Sequence, residues 1–247
     1  MTPQFLGIIP ARYASTRFPG KPLALLGGKP MIQWVYETAS KVFQHLAVAT
    51  DDPRISEAVE AFGGYAVMTS ASHRSGTDRC AEAMHILTSV SGQSFTHVVN
   101  IQGDEPFIRK EQLSLVTECL LDSGSDIATL IRPLVDRNDL NNPHVVKAVV
   151  DQDFRALYFS RAPIPYQRES GDPSNQVPCY AHLGLYAFRR EVVEQVVTLP
   201  PSALELAESL EQLRWLENGY RIQTAVTRYP SRGVDTPEDL ELLRTTL

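Results

Sequence analysis

Four cationic side chains, Arg12, Arg17, Lys21 and Lys29, open the chain, and no carboxylate precedes Glu37. Three of them share one loop, Pro10-Ala11-Arg12-Tyr13-Ala14-Ser15-Thr16-Arg17-Phe18-Pro19-Gly20-Lys21-Pro22, together with two hydroxyls and a glycine. Guanidinium groups and exposed main-chain amides match phosphate oxygens, so this loop is a candidate polyphosphate cradle. It is not a Walker loop, because Gly20-Lys21 runs into Pro22 instead of Ser or Thr, and it is not G-x-G-x-x-G. Composition alone also allows a solvated basic loop. The absence of a nearby acid to neutralise the three charges favours the cradle.

A phosphate site needs a frame. Phe5-Leu6-Gly7-Ile8-Ile9 is a continuous apolar run closed by Pro10, the pattern of a strand buried on both faces. Met31, Ile32, Val35, Tyr36, Ala39, Val42 and Phe43 recur at helical spacing. Strands are expected at 46–50, 65–68 and 97–102, with a helix opening at the Asp52 N-cap and another near 78–87. Strand and helix alternate throughout this half, which predicts a doubly wound, mostly parallel α/β sheet with ligands at the carboxyl ends of its strands. The loops after the first and fourth strands are therefore where chemistry is expected.

From about residue 126 the pattern changes to strand-like runs at 127–131, 145–150, 156–159 and 183–188, a smaller β-rich insertion over about 126–190 of one domain spanning 1–247. The polar loop at 166–178 is longer than an ordinary connector and is a candidate lid or subunit contact. A helix at 208–218, a strand at 222–226 and a helix capped at Thr236 complete the chain.

With 247 residues, 43% of them apolar and 21% charged, the chain can bury a large core. Its formal charge of −6 argues against a dedicated nucleic-acid binder. No apolar run approaches a membrane span, and no basic stretch precedes the short apolar run at 5–9, so neither membrane attachment nor a signal peptide is expected. Cys80, Cys119 and Cys179 form no C-x-x-C pair and fit a reducing, cytoplasmic compartment.

The string Ile8-Ile9-Pro10-Ala11-Arg12-Tyr13-Ala14-Ser15-Thr16-Arg17-Phe18-Pro19-Gly20-Lys21-Pro22-Leu23 closely resembles the opening of the 3-deoxy-D-manno-octulosonate (Kdo) cytidylyltransferases, or CMP-Kdo synthetases. Ala49-Thr50-Asp51, His73-Arg74-Ser75-Gly76-Thr77-Asp78-Arg79, Asn100-Ile101-Gln102-Gly103-Asp104-Glu105-Pro106, Tyr158-Phe159-Ser160-Arg161-Ala162, His182-Leu183-Gly184-Leu185-Tyr186, Leu210-Glu211-Gln212-Leu213-Arg214 and Gly233-Val234-Asp235-Thr236-Pro237-Glu238-Asp239-Leu240 follow in the family's order. Together they cover nearly the whole chain. The resemblance implies a Rossmann-like nucleotidyltransferase fold and a reaction in which CTP and Kdo give CMP-Kdo and pyrophosphate for lipopolysaccharide assembly. It also implies a homodimer joined through about 156–188.

What the resemblance implies residue by residue is as follows. Arg12, Ser15 and Lys21 hold the triphosphate, with Arg17 shaping the loop; Pro10, Ala11, Arg74, Ser75 and Gly76 read the cytosine, with Arg79 close by. Asp104 and Asp235 hold Mg2+, although their sequence settings also suit a turn former and a residue ahead of a helix cap. Gln102, Arg168, His182, Tyr186, Glu211 and Gln212 take Kdo, with Arg161 as a second cationic candidate. Lys21, Asp104 and Asp235 form the expected catalytic set. No side chain stands out as a general base, so metal coordination is the expected activator of the sugar hydroxyl. A cytidylyltransferase for an amino-substituted Kdo or another sugar acid, and a catalytically silent nucleotide-binding relative, are the alternatives.

Overall fold

The protein, seen in a computed structural model, is described at residues 3–14, 17–168, 177–230 and 233–245. It divides into two compact units where one domain with an insertion is expected. The first holds residues 1–114, 187–197 and 231–247, and the second 115–186 and 198–230.

The first unit starts with β1 (Phe5–Ala11), a short 3-10 turn over Lys21–Leu23, and the two-residue strands β2 (Leu25–Leu26) and β3 (Lys29–Pro30). It continues with α1 (Met31–Ala39), β4 (His45–Thr50), α2 (Pro53–Ala61), β5 (Ala66–Met68), α3 (Gly76–Ser91) and β6 (His97–Asn100). Helix α4 (Lys110–Ser123) begins here and ends in the second unit. Strand β1 lies between β4 and β6, parallel to both, with Ile9 beside Val48 and Ile8 beside Asn100; β5 follows β4. Leu6, Ile8, Ile9, Ala47, Val48, Ala49, Val98 and Val99 are buried, as continuous apolar strands covered on both faces must be. After β1 the chain builds outward through β4 and β5, then returns to place β6 on the other side of β1. The strand order therefore reverses between β1 and β6, the switch point where open α/β sheets bind ligands.

The second unit contains β7 (Ile127–Pro133), α5 (Arg137–Asn141), β8 (Lys147–Val150), β9 (Ala156–Ser160) and most of β10 (Tyr180–Arg189), whose last residues belong to the first unit. Helix α6 (Arg190–Val196) is also in the first unit. Helices α7 (Ala203–Glu208) and α8 (Glu211–Glu217) and strand β11 (Ile222–Val226) return to the second, and α9 (Pro237–Arg244) to the first. β8 pairs antiparallel with β9 and β10, giving the β-rich character expected. The insertion is wider than 126–190, because β11 pairs in parallel with β7, Ile222 beside Ile127, and carries 198–230 with it.

Some boundaries differ from those expected, each for a local reason. The helix anticipated over 208–218 starts at Glu211 as α8, since Ser209, in a left-handed conformation (φ 53°), separates it from the unanticipated α7. The strand anticipated over 97–102 stops at Asn100, so Asp104 lies in the turn beyond the strand and not at its end. The Asp52 cap is as expected, accepting from the Arg54 N–H at 3.0 Å, and Thr236 forms a reciprocal capping box with Asp239.

Candidate active site

A cavity of about 270 Å3 opens at the carboxyl ends of β1 and β6 in the first unit. Its walls include Pro10, Ala11, Arg12, Arg17 and Lys21 from the loop after β1, and Gln102 and Asp104 from the turn after β6. Arg74, Ser75, Gly76 and Arg79 from the start of α3, and Asp235, complete the set expected there. Ser15, expected on the triphosphate, lies outside the described residues.

The loop after β1 is shaped by one aromatic ring. Gly20 adopts φ +70° and its N–H donates to the Tyr13 carbonyl at 2.9 Å; a Cβ there would sit 3.0 Å from the Tyr13 ring. On Tyr13 lies the Arg54 guanidinium, 3.4 Å from the ring centroid, itself paired with Asp52. The turn after β6 approaches β1 closely at Gly103, where a Cβ would fall 3.2 Å from the Pro10 carbonyl oxygen.

Lys21 is the hub of the charged wall. Its ammonium donates to Asp104 Oδ2 at 2.6 Å and to the Val234 carbonyl at 2.8 Å, and stands 3.6 Å from Asp235 Oδ1. Arg17 donates to the same Asp235 oxygen at 3.0 Å. The acid missing from the first 36 residues is thus supplied from two distant segments. Asp235 is delivered by a cluster of Leu26, Met31, Val234, Leu240 and Leu243 that packs α9 onto the β2–β3 hairpin, and by the Val234 N–H donating to the Asp104 carbonyl at 2.9 Å. Lys29, the fourth early cation, is held by both oxygens of Glu37, and this hydrogen bonding lowers the Glu37 pKa against the effect of burial.

On the opposite wall, Ser75 caps α3 by accepting from the Asp78 N–H at 3.1 Å while the Asp78 carboxylate accepts from the Ser75 N–H. Asp78 is therefore a capping residue. The positive end of α3 and the exposed Arg74 both favour an anion in the cavity. Arg79 is buried; it donates to Thr69 Oγ1 at 2.6 Å and stands 3.4 Å from Asp51 Oδ2. His73, quoted in the family string without a role, also lines the cavity and is tied to Glu82 through Nε2 at 2.5 Å. Asp51, quoted in a family string without a role, and Glu82, which sequence reasoning did not single out, are each paired with a cavity-lining residue, Arg79 and His73.

Two carboxylates reaching one ammonium can reach one metal ion. Among the described residues no group of three or more His, Cys, Asp or Glu side chains is arranged for a metal. An ion held by Asp104 and Asp235 must therefore fill its other positions from substrate and water, as Mg2+ does on phosphate substrates. The donor set fits that ion.

Gln102 belongs to the first unit; the other residues expected on the sugar belong to the second. There, the His182 ring packs on Phe159 (centroids 5.0 Å) and Tyr186 (5.2 Å), and Tyr186 packs edge-on to Trp215 of α8 (5.0 Å). Thr129 Oγ1 lies 3.0 Å from His182 Nε2 and donates its single hydrogen toward the Leu183 and Leu185 carbonyls. The threonine oxygen must then accept from His182, which fixes the Nε2–H tautomer and leaves Nδ1 as an acceptor. Desolvation pushes the His182 pKa down to about 3, so the ring is neutral. Desolvation, and then the charge of Glu211, push the Tyr186 pKa up. Glu211 accepts from Arg214 at 2.7 Å, and Gln212 is buried in the first turn of α8. Arg168 is exposed. Arg161 is engaged elsewhere: its guanidinium donates to the carbonyls of Glu208 (2.8 Å), Pro143 (3.0 Å) and Ser209 (3.3 Å).

The cytidylyltransferase family profile matches residues 6–222. A 3-deoxy-manno-octulosonate cytidylyltransferase from Parabacteroides distasonis is 53% identical, with 96% of each chain covered, and one from Phocaeicola vulgatus is 54% identical over 96% of this chain and 94% of its own. A solved structure of CMP:2-keto-3-deoxy-manno-octonic acid synthetase complexed with CTP superposes with a TM-score of 0.89 at 43% identity, covering 98% of both chains. A cytidylyltransferase from Leptospira borgpetersenii shares the fold at 16% identity, with a TM-score of 0.63 over 98% of this chain and 86% of that one.

Proposed function

Since the chain belongs to the cytidylyltransferase family, we propose that it transfers CMP from CTP to the anomeric hydroxyl of Kdo, with Mg2+ held by Asp104 and Asp235. The hydroxyl oxygen bonds to the α-phosphorus, the bond from that phosphorus to the bridging oxygen breaks, and pyrophosphate leaves; the hydroxyl proton passes to solvent. The observation that carries this reading is the convergence of Lys21, Asp104 and Asp235 on one wall of a cavity at the sheet's switch point. Arg12, Arg17 and Lys21 supply positive charge for the triphosphate, and the start of α3 adds main-chain donors. Pro10 and Ala11, on the strand end, offer a rigid edge for the base, with Arg74, Ser75, Gly76 and Arg79 beside it. Bound Mg2+ supplies charge neutralisation across the phosphates and a Lewis acid for the hydroxyl. Kdo is taken by Gln102, Arg168, His182, Tyr186, Glu211 and Gln212. Neutral His182 suits a hydroxyl, which its Nδ1 accepts from, and leaves the sugar carboxylate to a guanidinium.

The same reading places the enzyme in the cytoplasm, ahead of lipopolysaccharide assembly, as a homodimer. Exposed Leu157, Tyr166 and Val177, within the segment expected at the subunit contact, support the dimer. Pyrophosphate release with CTP, Mg2+ and Kdo, run beside UTP, an 8-amino Kdo analogue and sialic acid, tests the function. Release confined to CTP plus Kdo is expected. Release only with another sugar acid would overturn the sugar assignment, and silence with every pair would favour a non-catalytic relative. Asp104→Asn and Asp235→Asn are each expected to abolish the Mg2+-dependent rate.

A further inference from the structure

Lys147 opens β8 with its side chain wholly removed from solvent. Its three N–H donors are met by three carbonyls: Asn142 at 2.9 Å, Val145 at 2.7 Å and Arg161 at 2.6 Å. The ammonium therefore pins the 142–145 turn to the end of β9. Arg161 extends the same join, donating from its three side-chain nitrogens to the carbonyls of Pro143, Glu208 and Ser209. Glu208 closes it: one carboxylate oxygen accepts from Ser160 Oγ at 2.5 Å and the other from the Arg161 N–H at 2.8 Å.

These bonds meet at the chain reversal that sets where α8 begins. Glu208 ends α7, Ser209 is left-handed, Leu210 precedes the helix, and Glu211 and Gln212 form its first turn. A second link runs through Val146, whose carbonyl accepts from the His182 N–H at 2.8 Å, one residue from Lys147. Both the α8 residues and His182 thus hang from one set of main-chain anchors. A buried ammonium surrounded by carbonyls is costly compared with an apolar side chain, and what it secures is a fixed geometry.

We propose that Lys147, Arg161 and Glu208 are positioning residues for the sugar-binding face of the second unit, holding α8 and the start of β10 in register, and that Arg161 is not a sugar ligand. This rests on the reading of that face as the Kdo site. Lys147 cannot touch substrate, so any effect of its loss on sugar affinity passes through the residues it holds.

The test compares Lys147→Met, Arg161→Ala and Glu208→Gln with the wild type by steady-state kinetics, with calorimetric CTP binding as the folding control. Each variant is expected to raise the KM for Kdo about 10- to 100-fold, because a displacement of about 1 Å has that scale of effect. The KM for CTP is expected to stay within about twofold, and the double variant Lys147→Met/Glu208→Gln to cost no more than the worse single one. Emission of Trp215, read in a Trp34→Phe background, is expected to shift in Lys147→Met and reports α8 without turnover. An unchanged KM for Kdo in Lys147→Met would overturn the proposal, and if Arg161→Ala alone raised it, Arg161 would be a direct ligand. If Lys147→Met fails to bind CTP, Glu208→Gln decides by the same criteria. A wild type that ignores Kdo sinks the functional reading instead, and the Trp215 shift then decides the positioning role alone.

Discussion

Replacing Lys21 with methionine keeps the length of the side chain and removes the charge on which Asp104 and Asp235 converge. Two short charge-assisted hydrogen bonds are lost, to Asp104 at 2.6 Å and to the Val234 carbonyl at 2.8 Å. Such bonds are each worth about 1.5–3 kcal/mol when well shielded. The side chain of Asp104 is 30% exposed and that of Asp235 48%, and Arg17 still neutralises Asp235, so solvent screening reduces the sum. A net loss of about 2 kcal/mol remains, which for a chain of this size lowers Tm by about 4–8 °C. The freed carboxylates then offer Mg2+ a site that no ammonium contests. At tenfold excess over its Kd the ion returns about 1.4 kcal/mol, so Mg2+ restores about 3–6 °C in the variant and less in the wild type. Thermal unfolding in MgCl2, against KCl at matched ionic strength, measures the difference. In turnover the variant loses about 10²–10³-fold in kcat/KM, the scale for removing one donor to a developing phosphate charge. A variant with wild-type Tm, or with no greater Mg2+ response than the wild type, would refute the idea that ammonium and metal share these carboxylates.

His182 has its pKa depressed to about 3, against about 6.5 in an unfolded chain, so its contribution to stability is complete above pH 6.5 and is lost as pH falls toward 3. His182→Gln therefore flattens the pH dependence of the unfolding free energy, read from urea titrations between pH 6.5 and 5, by up to about 1.4 kcal/mol per pH unit, and an unchanged slope would mean a solvated ring. Gly20→Ala forces a Cβ onto the Tyr13 ring at φ +70° and is expected to raise the KM for CTP while costing about 1–2 kcal/mol; an unaltered KM would separate this turn from nucleotide binding. Ser75→Ala removes the α3 cap and costs about 1 kcal/mol, read as a Tm drop of about 2–4 °C; no drop would mean that Asp78 caps the helix unaided.

Much of the first unit is legible in the sequence because its signals are local. The apolar run from Phe5 to Ile9 is a buried strand, Asp52 and Thr236 are caps, and the cationic loop after β1 does line a cavity. Each follows from residue type and spacing over one or two turns of chain. The second unit is less legible. Nothing local pairs β11 with β7, and Ser209, an ordinary helix-compatible residue, enters the left-handed region and delays the start of α8 to Glu211.

The side chains available for chemistry, and which strand ends they follow, were determined by the sequence alone. Which of them meet was decided by tertiary structure. Lys21 appears in the sequence as a cation without an acid; folding brings it Asp104 from the turn after β6 and Asp235 from the cap of α9. Arg161 reads as a cation free for a carboxylate, and folding places its guanidinium against three main-chain carbonyls. Lys147 reads as a polar residue inside the strand expected at 145–150, and folding makes it the first residue of β8 and buries it wholly. The physical reason is the same in each case. Periodicity and capping are set by neighbours along the chain, whereas a charge takes its partner from whichever distant segment the packing of apolar side chains brings within reach.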